Sequence, residues 1–524
     1  MAATLRSYLT GDWHAAPDEG RPLLDAATGA EVARLSQRVV DAAAVLRHAR
    51  EVGGPALREL TFHQRAGLLK TLAKHLSAHT DEFHALSTRT GATRRDSALD
   101  VDGGIGVLFV YGSKGVRELP DGHVLPDGDM EQIGKQGVFA IRHVHVPRQG
   151  AAVQINAFNF PVWGMLEKLA PALLAGLPSV VKPAGQTAYL TELVFRRIIE
   201  SGILPEGAVQ LICAPPDGIL DALTGQDLLS VTGSAATART LRAHPAVAAR
   251  AVRFNAEADS LNCAVLGPDA TPGTPEFDLF TRTLVTEMTV KAGQKCTAIR
   301  RALVPAALID DVQEAVCAAL GDVRVGNPAD PTVTMGPLAG LGQREEVLGA
   351  LKALTAAARV LHGDPDRFDV VDGDQERGAF LPPLLLRCDD PDRAEPHEVE
   401  AFGPVSTLLP YDGTPAHAVA LAARGEGSLV ASIVTQDPGF AREAVLGAAP
   451  WHGRLLLLDR TDAEESTGHG SPLPHTVHGG PGRAGGGEEL GGIRSVLHHM
   501  QRTAVQGPPT TLSMLTGPLT GPRP

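Results

Sequence analysis

Residues 151–213 read AAVQINAFNFPVWGMLEKLAPALLAGLPSVVKPAGQTAYLTELVFRRIIESGILPEGAVQLIC. Three short apolar runs, AAVQIN, SVVKP and VQLIC, alternate with longer stretches whose apolar positions recur every three or four residues. Short apolar runs bounded by turn residues read as buried strands, and the longer spacing as one face of a helix. The helical stretches PVWGMLEKLAPALLAG and TAYLTELVFRRIIESG run out at Gly176 and Gly202, the residue type that most readily ends a helix. The rhythm continues through LLSVTGS (strand and turn), ARTLRAH (helix) and NCAVLG (strand). Alternating strand and helix predict an α/β fold with a parallel sheet wound on both faces.

Working outward, residues 36–100 carry helical spacing in AAAVLRHAREV and QRAGLLKTLAKHLSAHTDEFHALSTRTG. From 137, GVFAIRHVHVPRQG alternates and stops at Pro147 and Gly150, as a strand or hairpin does. A second α/β block runs from about 267 to 480, where the helix FDLFTRTLVTEMTVKAG leads through a loop to the strand RRALVP. The stretch GGPGRAGGGEELGG (479–492) is either a flexible linker or a place where backbones approach closely, since glycine serves both. The tail from 507, GPPTTLSMLTGPLTGPRP, is expected to be irregular.

Composition narrows the function classes. At 524 residues, 43% hydrophobic and 20% charged, the chain can bury several domains' worth of core and is not disordered. A net charge of −13 argues against nucleic-acid binding through a basic surface and against a polybasic membrane-surface protein. The longest apolar candidate, Leu169 to Val181, is broken by Pro171 and Pro178, so no membrane span is expected. The N-terminus MAATLRSYLTGDWH lacks a hydrophobic signal core, which makes the cytoplasm the expected location. Five scattered cysteines with no CxxC suggest free thiols, with neither a disulfide framework nor a metal site.

Several polar residues stand where chemistry is done. Cys296, in VKAGQKCTAIRR, falls on a polar turn with Lys291, Lys295, Arg300 and Arg301 close in sequence. Positive charge lowers a thiol's pKa and frees the thiolate; the alternative is an inert buried thiol. Asn156 and Asn159 lie where a strand gives way to a helix, where an amide can donate to an oxyanion or simply cap the helix. Lys182 ends the next strand, in reach of a ribose or phosphate, or else is solvated. VTGSAAT (231–237) brings Gly233 and Ser234 to a helix start, whose free N–H groups suit a phosphate. Glu257, in RFNAEADSLN, is a general base or a surface carboxylate, and Glu400, in EVEAFGPV, is equally open.

Taken together and in order, NFP (159–161), VVKPA (180–184), TGS (232–234), GQKC (293–296) and EAFGPV (400–405) resemble the aldehyde dehydrogenase superfamily. The resemblance runs from about SYLTGDW (7–13) to past GGIRSV (491–496). It implies a Rossmann-like cofactor domain (1–133 and 151–266), a catalytic α/β domain (267–480), and a small β oligomerisation arm with the C-terminal tail (134–150 and 493–524). The arm is implied to pair between the subunits of a homodimer. Cys296 matches the family's nucleophile, Glu257 its general base and Asn159 its oxyanion amide. Lys182 and Glu400 match the residues that hold the two cofactor riboses, Gly233 and Ser234 those near the pyrophosphate, and Phe402 the aromatic beside the nicotinamide ribose.

The departures from the pattern carry information as well. Gly185 replaces the glutamate usual after KPA in NAD-preferring members, which implies NADP in preference to NAD. Ala258-Asp259-Ser260 follows the base where Leu-Gly-Gly is usual, and Ala238 stands for a glycine. With FNAEADSLN, EMTVKAGQKCTAIRR and HGGPGRAGGGEELGG, these features resemble one branch. It comprises the semialdehyde dehydrogenases acting on CoA thioesters from aerobic aromatic-ring opening. One arm of that branch is fused to a hydratase and serves phenylacetate breakdown; the other stands alone and serves the benzoyl-CoA route. A chain of 524 residues is read as the second kind. The implied substrate is 3,4-dehydroadipyl-CoA semialdehyde, with the phenylacetate-route 3-oxo-5,6-dehydrosuberyl-CoA semialdehyde as the alternative.

Overall fold

The computed structural model describes residues 3–515. Two seven-stranded sheets form its centre. In the first the strands lie in the order Arg253–Glu257, Leu228–Thr232, Ala152–Ile155, Ser179–Lys182, Val209–Leu211, Ser7–Leu9, Asp12–His14. The first five are parallel and the last two form an antiparallel hairpin on the edge. The chain winds outward from Ala152–Ile155 in one direction, then returns to lay Leu228–Thr232 on its other side. Such a reversal of winding opens a crevice at the carboxyl ends of the two strands, the usual ligand position in an open α/β sheet. Asn156 and Gly233 follow those two ends.

The second sheet runs Arg359–His362, Leu384–Arg387, Val405–Tyr411, Arg301–Pro305, Cys263–Leu266, Ser428–Val434, His452–Leu458, parallel except for the first pair. This moves an expected boundary. Cys263–Leu266 pairs with Arg301–Pro305 and Ser428–Val434, so the chain passes between the sheets at residues 258–262 and not after 266. A strand buried on both faces carries no mark of which sheet it joins.

A third sheet joins Met500–Gly507, Phe139–Pro147 and Leu125–Ile133, all antiparallel. The arm thus begins at Leu125, before the expected 134, and this pairing lies within one chain, with Met500 opposite Pro147 and Gly507 opposite Ala140. The expected irregular tail contains a helix, Pro509–Met514, which buries Leu512 and has a proline in its first turn, where no N–H is needed. The rest of that expectation, 516–524, lies outside the described residues.

Two further details position the site. The helix Arg94–Glu118 starts on a capping box of Thr93 and Asp96. Its Asp100 accepts hydrogen bonds from the backbone N–H of Val162 (3.1 Å) and Trp163 (2.8 Å), so it caps the neighbouring helix Trp163–Ala175 from outside. The glycine-rich segment is a seam of close contacts and not a linker. A Cβ on Gly453 would stand 1.7 Å from the carbonyl oxygen of Gly479, and one on Gly487 2.3 Å from that of Ala256. Gly485 combines a φ of +105° with a carbonyl 2.4 Å from where its Cβ would be, a position only glycine fills without strain. Among the described residues, no helix is long and apolar enough to cross a membrane.

Candidate active site

Five polar side chains from five separate elements meet in one cavity walled by Leu99, Phe160 and Trp163. Glu257 ends the edge strand of the first sheet. Asn159 lies between the strand Ala152–Ile155 and the helix Trp163–Ala175, which carries Glu167. His478 comes from the short strand Val477–His478, paired with Glu489–Leu490. Cys296 follows a tight turn in which Lys291 and Ala292 are left-handed (φ 55° and 50°), and where the expected helical VKAG breaks away from Pro275–Thr289. Left-handed backbone at non-glycine residues is strained; here the N–H of Lys291 is tied to Asp96 at 2.9 Å.

Cys296 Sγ lies 3.5 Å from Nε2 of His478, and the same nitrogen is 3.3 Å from Glu257. Nδ1 of His478 faces Glu167 at 3.1 Å. Glu167 also accepts from the indole N–H of Trp163 at 2.8 Å and has the Lys168 ammonium 3.3 Å away. The Asn159 amide donates to the carbonyl of Gln294 at 3.0 Å, two residues from the thiol. Neither Glu257 oxygen accepts a hydrogen bond among the described residues.

The basic neighbours of Cys296 do not act as the sequence suggests. Lys295 is held by both oxygens of Glu287 at 2.8 Å. Arg300 donates to the carbonyls of Gly403, Gly293 and Lys295, and Arg301 to those of Leu261, Leu421 and Ala422. These cations knit the loop together. Burial, with the Glu257 carboxylate adding to it, pushes the thiol up to about 12, so the expected depression by the basic loop is not found.

The other expected residues lie outside that cavity's lining, at strand ends and in loops. Lys182 ends its strand with Nζ donating to the carbonyl of Pro183 at 2.7 Å, and burial pulls its ammonium below the usual range. Gly185 lies beside Arg21: a Cβ there would stand 2.2 Å from the guanidinium. Ser234 caps the helix Ala235–Arg242, and Gly233 faces open space. Glu400 accepts from the N–H of Ser260 at 3.1 Å, lies 3.6 Å from Arg300, and is pushed up to about 7 by burial. Phe402 packs edge-on against Phe158 at 6.0 Å, with the Arg300 guanidinium over its ring. The unusual Asp259 takes the N–H of Ala235 at 2.8 Å, filling part of the helix start with a carboxylate.

The sequence pattern of the aldehyde dehydrogenase family matches residues 13–447. The chain belongs to this family. It is 45% identical to 3,4-dehydroadipyl-CoA semialdehyde dehydrogenase of Aromatoleum evansii, over 91% of this chain and 93% of that one, which supports the CoA-linked semialdehyde branch. Its fold matches betaine aldehyde dehydrogenase of Staphylococcus aureus in complex with NAD+ (TM-score 0.83, 22% identity, 96% of this chain and 97% of that one). It also matches lactaldehyde dehydrogenase of Escherichia coli (TM-score 0.82, 22% identity, 97% and 99%).

In this aldehyde dehydrogenase the structure thus brings Cys296, Glu257 and Asn159 to one cavity; Lys182, Gly185, Gly233 and Ser234 stand at or just past strand ends of the first sheet, and Glu400 and Phe402 come from the loop before Val405–Tyr411 of the second. Sequence reasoning missed three residues: His478, Glu167 and Arg21. Glu167 had a signal, an adjacent Glu-Lys pair inside an otherwise apolar helix, since charges on a buried face need partners. His478 and Arg21 stand in segments with no periodicity, and only the fold brings them to the site.

Proposed function

We propose that this aldehyde dehydrogenase oxidises a CoA-linked semialdehyde, best read as 3,4-dehydroadipyl-CoA semialdehyde, to the acid with NADP, in aerobic benzoyl-CoA breakdown. The observation that carries the reading is the convergence of Cys296, Glu257 and Asn159 on one cavity, in a chain so close to a relative of that name. The cytoplasm is the location, and a homodimer the assembly.

A dinucleotide fits the crevice. Asn156, buried at its mouth, has neither its amide nitrogen nor its oxygen partnered among the described residues, and the Thr232 hydroxyl is likewise unpartnered. Lys182 and Glu400 would hold the riboses, and Gly233 and Ser234 the pyrophosphate. When bound there, a dinucleotide would supply the hydride acceptor. The choice of NADP rests on Gly185 and Arg21: a guanidinium stands where a carboxylate at 185 would otherwise project, and a 2′-phosphate is the anion it would meet.

Cys296 attacks the aldehyde carbon as the thiolate; the S–C bond forms and the carbonyl π pair moves to oxygen. The Asn159 amide and the backbone N–H of Cys296 donate to that oxyanion, and one such donor is worth about 10²–10³ in rate. The oxyanion pair re-forms C=O as the C–H bond breaks and its hydride departs to the acceptor, which leaves a thioester on Cys296. Glu257 takes a proton from water, the new C–O bond forms, and the sulfur leaves as thiolate. The substrate's own CoA thioester is a handle and is not cleaved.

The deciding experiment is a panel of CoA-linked and free semialdehydes, including the longer keto-bearing one, with NADP and with NAD. The highest kcat/KM is expected for the dehydroadipyl substrate with NADP. A preference for free aldehydes would overturn the CoA-linked reading.

A further inference from the structure

We propose that His478 is the counter-charge shared by nucleophile and base: an imidazolium between Cys296 and Glu257 that lets a thiolate and a carboxylate stand side by side. The inference rests on the reading that those two residues do the chemistry. The reacting atoms of Cys296, Glu257 and His478 all lie within 4.8 Å of one another. The first half-reaction needs a negative sulfur and the second a negative carboxylate. Formed next to each other in a buried cavity, the two repel, and each makes the other harder to ionise.

The cations near Cys296 in sequence are committed elsewhere, Lys295 to Glu287 and Arg300 to carbonyl oxygens and Glu400. Nε2 of His478 instead faces both Sγ and Glu257, at 3.5 and 3.3 Å. The ring is held in that orientation from behind. Nδ1 is directed at Glu167, itself fixed by the Trp163 indole and flanked by Lys168. The groups facing the imidazole are therefore Cys296 from the loop, Glu257 from the strand, and Glu167 with Lys168 from the helix.

Protonation follows from this company. Burial alone pushes the His478 imidazole down, but Glu257 and Glu167 outweigh it and hold the ring well above its ordinary value. Burial alone pushes Glu257 up, yet His478 reverses that and holds the carboxyl at about 2. For Cys296, burial and Glu257 push upward, and the imidazolium pulls the other way. One charge thus favours the working form of both groups.

The test reads the thiol without aldehyde or cofactor. Iodoacetamide alkylation of Cys296 is followed against pH by peptide mass spectrometry, which separates it from Cys213, Cys263, Cys317 and Cys388. In His478→Gln the thiol should be harder to ionise, read as alkylation slowed about tenfold at each pH from 7 to 10, the equivalent of a midpoint raised by about one pH unit. His478→Lys, which restores a cation, should return the rate toward wild type. A rate unmoved in His478→Gln, or a lysine variant no better than glutamine, overturns the proposal. Should the variants not fold, histidine-labelled wild-type enzyme must show by NMR a buried ring still protonated at about pH 8, well past the ordinary histidine range; neutral buried rings throughout overturn it equally. These readouts stand whether or not any semialdehyde proves to be a substrate, so failure here and failure of the functional reading are distinguishable.

Discussion

Glu257→Gln keeps the shape of the proposed base and removes its ability to take a proton from water. Cys296 and Asn159 remain in place, so the first turnover should release about one equivalent of NADPH in a burst, followed by slow steady state. Rapid-quench measurement decides it: normal steady-state turnover would remove Glu257 from the mechanism. Arg21 offers a second residue-level test. If its guanidinium meets the 2′-phosphate, Arg21→Ala should cost about 1–2 kcal/mol of NADP preference, a roughly 5–30-fold fall in the NADP/NAD ratio of kcat/KM. An unchanged ratio would separate Arg21 from cofactor choice. The proposed nucleophile, base and oxyanion amide were legible only through the resemblance, because GQKC, RFNAEADSLN and NFP are short runs that match the family's, while each residue read alone stayed open. His478, Glu167 and Arg21 were not, because their meaning depends on distances across 311 residues (His478 to Glu167) and on a glycine's empty side. The basic run around Cys296 misled for a physical reason: sequence proximity says nothing about which carbonyls a guanidinium will find.

Most helices were read correctly because one buried face sets their period, and the central strands because short runs of buried residues are bounded by turn residues. The joins between them were not, as Cys263–Leu266 shows, because a strand of wholly buried residues reads the same in either sheet. Asp100 shows how one element is stabilised by another at a cost that depends on pH. Burial pushes its carboxyl up to about 6, against Lys291 and the two N–H groups it caps. A raised folded-state value means that its stabilising contribution is full in acid and is lost as pH rises through about 6. Asp100→Asn keeps an accepting oxygen without the charge. Urea midpoints of the two proteins should therefore diverge between about pH 4 and pH 7, in favour of the asparagine variant, by on the order of 2 kcal/mol. Parallel curves would show that the carboxyl titrates as an ordinary aspartate.

At the scale of the whole molecule, several sheets among the described residues end on strands with no further strand paired beside them. The arm ends on Met500–Gly507, and the second sheet ends on His452–Leu458, where Leu457 is 47% exposed. Open strand edges pair with another chain or must be blocked, which is the argument for the homodimer. Light scattering should give twice the chain mass. Deletion from residue 500 onward, which uncovers Phe139–Pro147, should yield monomer or aggregate; an intact dimer would place the interface elsewhere. The glycine seam has a consequence for how the molecule is digested. By composition, GGPGRAGGGEELGG offers trypsin an inviting cut at Arg483. A protease needs several residues of loose, extended backbone, and here Gly479, Gly485 and Gly487 are wedged against carbonyls of Gly487 and Ala256. The segment that looks most like a hinge on paper is therefore wedged between Ala256 of the first sheet and Glu426 and Ser428 at the second, and Arg483 should survive until the fold itself opens.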